Sequence, residues 1–160
     1  MTEDGAAGPA GGAGPAGAAG AVGALCAEDY ASVHAAVAEA GPAFAGMDEA
    51  LARWRLVVVD IEAGFDLEFA WEYGHELRCR DWLRAAWPLL TERVRALRQP
   101  ELDRWDDRFF AATLPMTVDD AGMGERGGAW WQRRFPARCL QGEGQRLPAH
   151  WSPPPVVETY

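Results

Sequence analysis

The sequence predicts a small, mostly α-helical domain of about four to five helices over residues 28–140, between a disordered Gly/Ala/Pro-rich tail at 1–27 and an extended, Pro-containing tail at 141–160. Three observations predict it. Apolar residues recur at spacings of three and four through the middle of the chain, the repeat of a helix that buries one face. Gly5 to Ala27 are 23 consecutive uncharged positions, nearly all Gly, Ala or Pro, with too little apolar surface to offset the entropy of ordering them. Roughly 130 residues then remain for folding, which suits one core and excludes a full barrel or a complete doubly wound nucleotide fold.

The first helix is predicted over 28–40, where Tyr30, Val33, Val37 and Ala40 share a face and Glu28 and Asp29 suit the N-terminus. Gly41-Pro42 ends it. Phe44, Met47, Leu51, Trp54, Val58 and Ile61 form the next apolar stripe and predict a helix over 43–63, closed by Gly64. A β-hairpin at 54–72, giving an α+β fold, competes with it. Leu56 to Val59 contains a β-branched run, and Phe65, Leu67, Phe69 and Trp71 alternate with Asp66, Glu68, Ala70 and Glu72 as in a half-buried strand. The longer in-phase stripe favours the helix, and 65–72 reads equally well as strand or helix. Asp81 is placed to cap a helix carrying Trp82, Leu83, Ala86 and Trp87, which Pro88 kinks. Leu90, Val94 and Leu97 line the following helix. After Pro100, Leu102, Trp105, Phe109 and Ala112 form a further stripe that Leu114-Pro115 ends. Residues 119–128 read as a loop.

Charge and composition narrow the function. Acidic residues outnumber basic ones by 24 to 15, a net of -9, which opposes general nucleic-acid binding. Every basic residue is Arg, Lys and Asn are missing, and Ile61 is the one isoleucine, a bias that fits a high-GC bacterial genome without invoking anion recognition. Cys26, Cys79 and Cys139 are widely spaced and odd in number, as reduced thiols in a cytoplasm would be. The N-terminal tail is too poor in large apolar residues to span a membrane. Its Met1-Thr2-Glu3-Asp4 start is acidic where a signal peptide is basic, and Leu25 stands before Cys26 where a lipoprotein box has a small residue. The expectation is a cytoplasmic protein with neither membrane nor nucleic-acid partner.

Few residues suggest chemistry. Gly122 to Gly127 spell G-x-G-x-x-G, but a loop precedes them rather than a strand, and the match is expected by chance in a chain with 18 glycines. Glu72, His75 and Cys79, with Glu76, would share a helix face and are acceptable zinc ligands, although Gly74 weakens the helix and no second ligand cluster is visible. Asp103, Asp106 and Asp107 are spaced to hold Mg²⁺ together. The run Asp106-Asp107-Arg108-Phe109-Phe110 resembles the aspartate-rich helix of terpene cyclases, without its third acid, and Arg104 and Arg108 neutralise it. Ser32 and Ser152 have no nucleophile-elbow context, and the acids around Cys79 oppose a thiolate.

Two surfaces suggest binding. Asp60, Glu62, Asp66, Glu68, Glu72 and Glu76 carry no base among them, whereas the stretch from Arg126 to Arg146 holds five Arg and one Glu. Either these segments fold together or stay solvated, or the acidic stretch 60–76 meets a basic partner. Trp54, Trp82, Trp87 and Trp105 lie on helical stripes and belong in the core. Trp130 and Trp131 are adjacent and cannot both face it. The predicted function is a small acidic, non-enzymatic module, antitoxin-like, immunity-like or accessory, that needs no cofactor and binds another protein. Its contact surface would be Trp130, Trp131, Arg133 and Arg134, or else the acidic stretch. The alternative is a metal-dependent enzyme or ligand-binding domain built on Glu72, His75 and Cys79.

Overall fold

The computed structural model describes residues 24–117 and 128–160. It is mostly helical: α1 (Ala27–Ala40), α2 (Met47–Ala63), the short α3 (Tyr73–Glu76), α4 (Arg78–Ala86) and α5 (Glu92–Ala112). The strands are short: β1 (Phe65–Asp66), β2 (Thr113–Pro115), β3 (Arg134–Pro136), β4 (Arg138–Gln141) and β5 (Val156–Thr159). No helix among the described residues is long and apolar enough to cross a membrane. The Gly122–Gly127 motif and residues 1–23 lie outside the described residues.

The predicted stripe builds the centre. Met47, Leu51, Trp54, Val58 and Ile61 are all buried on α2, which packs against α4 and α5. Phe44, just before the helix, sets its ring edge-on to Trp82 at 5.7 Å. Gly64 closes α2 with φ of 110°, a conformation that glycine adopts without strain, and the Leu140 side chain fills the space that a Cβ would take. No hairpin forms over 54–72, because the buried stripe holds residues 54–63 in the helix.

Several polar groups that enter this core find partners, whereas the Tyr73 hydroxyl and Trp105 Nε1 have none among the described residues. Trp54 Nε1 donates to Asp106 at 3.0 Å, and Arg80 grips the same carboxylate through Nε and a terminal nitrogen at 2.8 and 2.7 Å. At the start of α1, buried Asp29 accepts the Cys26 N–H at 2.9 Å and the Thr91 hydroxyl at 2.6 Å. The Cys26 N–H, then Thr91, hold this carboxyl below its usual 3.8.

Three expectations are corrected. Pro100 does not divide two helices: α5 runs through it, because Pro100 and Ala96, whose carbonyl loses its partner, both face solvent. Asp81 does not cap a helix but lies inside α4, where it accepts hydrogen bonds from across the molecule. Residues 141–160 are not a detached tail. β4 is the centre of a parallel sheet in the order β1-β4-β5, and Trp151 is buried, stacked on Phe135 at 5.6 Å. β2 and β3 form a separate antiparallel pair.

Candidate functional site

Trp130, Trp131, Arg133 and Arg134 do not form one surface. Trp131 is buried, donates to Asp81 at 3.0 Å and lies beneath the Arg80 guanidinium, 4.1 Å from the ring centre. Gln132 also donates to Asp81, at 2.7 Å. Arg134 is buried too. It donates to the Thr113 hydroxyl at 2.8 Å and to the carbonyls of Phe110 and Thr113, and it stacks on the Phe110 ring. Burial lowers its pKa. Trp130 is partly buried against Phe109 and Phe110, and only Arg133 of the four is exposed.

Glu72, His75 and Cys79 are not gathered either. Glu72 and His75 are exposed, whereas Cys79 is buried with its thiol donating to the Glu76 carbonyl at 3.2 Å. Burial pushes that thiol up to about 12. Among the described residues no three His, Cys, Asp or Glu side chains converge on a position that would hold a metal ion. Of the α5 aspartates, Asp106 is held in the core by Arg80 and Trp54, and Asp103 accepts from Gln99 at 2.6 Å.

The stretch 60–76 is different. Its first residues complete α2, the chain then runs as strand β1 from Phe65, and Phe65 and Leu67 turn inward as the alternation predicts. Asp66 then interrupts the pattern. Its Oδ1 accepts the Glu68 N–H at 2.8 Å and starts a 3-10 turn over Leu67–Phe69. The Tyr160 hydroxyl, brought in from the C-terminal strand, donates to its other oxygen at 2.9 Å. The turn throws the last two aromatics of the alternation outward, leaving Phe69 50% and Trp71 80% exposed.

Around these rings the carboxylates are unevenly used. Glu76 pairs with Arg53 and Glu62 with Arg108. Asp60, Asp66, Glu68 and Glu72 have no ion pair among the described residues. The C-terminal segment does fold back here, with β4 lying beside β1, but among the described residues it makes no ion pair with these acids, and Arg138 pairs with Glu158. Beside Phe69 a cleft of about 340 Å³ opens between α2 and β1, lined by Val57 and Phe65 below and by Asp60, Asp66, Glu76 and Arg53 at the rim. An exposed indole, a half-exposed phenyl ring and acids without an ion pair among the described residues thus all belong to the stretch 60–76, with a cleft beside Phe69.

Sequence reasoning named this stretch for its charge but missed Trp71, and placed Tyr160 in a tail. The signal that was available is Asp66 two residues before Glu68, a spacing that starts a turn in place of a continued strand. No protein-family model, curated protein or solved structure matches the chain.

Proposed function

We propose that the chain is a small acidic protein-interaction module, of the accessory, antitoxin-like or immunity-like kind, and that it meets a basic partner through the 60–76 face. The observation that carries this reading is Trp71, four-fifths exposed in a stretch whose Asp60, Glu68 and Glu72 have no ion pair among the described residues. Tryptophan supplies more binding energy per residue than almost any other side chain once a partner desolvates it. The surrounding acids steer a basic surface towards it and reject acidic ones. A net charge of -9 repels nucleic acid and disfavours a second copy at this face.

The test begins with recovery of the partner from the native host and its separate expression. Calorimetry then compares the protein, Trp71→Ala and Trp130→Ala against the purified partner. Trp71→Ala is expected to weaken binding at least about tenfold, or about 1.4 kcal/mol, with Trp130→Ala close to the parent. Added salt weakens the parent complex. A Trp71→Ala protein that binds like the parent, or a loss confined to Trp130→Ala, overturns the proposal.

A further inference from the structure

We infer that the cleft between α2 and β1 is a socket for one arginine side chain of the basic partner, an inference that rests on the proposed role of the 60–76 face. The floor is apolar and fixed: Val57 and Phe65 are buried, and Phe65 is braced edge-on by Tyr73 at 5.4 Å. The wall is the half-exposed ring of Phe69. The rim carries three carboxylates, of Asp60, Asp66 and Glu76, against one guanidinium, of Arg53. A long stem with a cationic head matches this sequence of apolar floor and acidic rim.

The three rim carboxylates are not equivalent. Asp66 is committed to the Glu68 N–H and the Tyr160 hydroxyl, so it shapes the socket. Glu76 is already occupied, by Arg53. Asp60 is exposed and has no side-chain partner among the described residues, which leaves it to receive the guest. Arg53 shows what the rim accepts: the chain itself has placed a guanidinium on one of its carboxylates. An incoming arginine pairs with Asp60 and competes with Arg53 for Glu76, one cation exchanging for another with no net change of charge at that carboxylate. Arginine fits better than lysine because a planar guanidinium stacks on the Phe69 ring while donating to carboxylates in its own plane.

The experiment is a titration of the isotope-labelled full chain, followed by amide chemical shifts, with N-acetyl-arginine amide, its lysine counterpart and the neutral isostere N-acetyl-citrulline amide. The arginine probe is expected to give saturable shifts centred on Asp60, Gly64, Phe65 and Phe69, stronger than lysine, with citrulline inert. Asp60→Asn, which removes no internal contact, weakens the arginine probe by at least about fivefold. Arg53→Ala tightens it by about two- to fivefold, because the resident competitor is gone, while Arg95→Ala, which removes the same charge elsewhere, changes it less.

Equal binding of citrulline, shifts spread over the whole acidic surface, or equal effects of Arg53→Ala and Arg95→Ala overturn the socket. Shifts that depend on protein concentration without any probe would place a second copy on the face and overturn it as well. If the socket fails while Trp71→Ala still weakens the partner complex, the socket alone is wrong. If the probe titrates the cleft but Trp71→Ala leaves the complex unchanged, the proposed face is wrong and the arginine site stands by itself.

Discussion

The segments 130–134 and 60–76 both bring tryptophan together with charge, and they fold to opposite ends. In 130–134 the chain consumes its own recognition chemistry: the Trp131 indole and the Gln132 amide converge on Asp81, and Arg134 spends its donors on Thr113 and Phe110. In 60–76 the Trp71 ring and several carboxylates are left unspent. Residue type does not separate the two. What separates them is whether a donor, an acceptor or an apolar face has already found its partner within the chain, and an unspent group on the outside is capacity for binding.

The largest expected effect tests that contrast directly. Trp131→Ala removes a buried ring of large area, takes one of the donors from Asp81 and uncovers the face of Arg80, so a loss of about 3–5 kcal/mol is expected. Trp71→Ala removes a ring that faces water and is expected to shift stability by no more than about 0.5 kcal/mol. Urea unfolding of the two variants, followed by circular dichroism, gives both values. A destabilised Trp71→Ala would move that ring into the core and dissolve the contrast.

How much of this was legible depends on how local the cause is. The α2 stripe could be read from spacing alone, since Met47 to Ile61 repeat one helical period and the core does no more than accept them. The mostly helical fold followed from stripes of that kind. Residues 141–160 were misread because their composition suggests a tail, while the order in β5 comes from β4, a parallel neighbour that is itself paired with β1, far away in sequence. Pro100 misled because the rule against internal proline weighs the lost hydrogen bond and not the packing of Val94, Leu102 and Trp105 on either side of it. The acidic stretch was visible as charge. Which acids stay unpaired was not, because that depends on Arg53 and Arg108 reaching Glu76 and Glu62 from elsewhere in the fold.

A smaller effect sharpens what it means for a carboxylate to be spent. Asp29 is held below its usual 3.8 by the Cys26 N–H and the Thr91 hydroxyl, with Arg93 at 3.7 Å contributing less. A carboxyl whose pKa falls on folding stabilises the folded state above its unfolded value, and that stabilisation drains away as the pH drops through the folded value. Asp29→Asn should therefore lower the urea midpoint at neutral pH, and the gap from the parent should narrow as the pH is taken below 3.8. A gap that stays constant with pH would trace the loss to geometry rather than to charge.

A last effect probes the opposite corner, an unspent group that is buried. The Tyr73 hydroxyl has no partner among the described residues, although its ring is packed edge-on against Phe65 and Trp151. Burial drives its pKa far above the usual 10, so the group remains a neutral phenol throughout the working range. An orphaned polar atom in the interior gives up its water for nothing, and away from any surface it has no partner to wait for. It is a cost where Trp71 is a capacity. Tyr73→Phe keeps the ring and removes the cost, so a gain of about 1 kcal/mol in thermal or urea unfolding is expected. A loss of stability instead would mean that the hydroxyl is engaged, and the line between spent and unspent groups would have to be redrawn at that position.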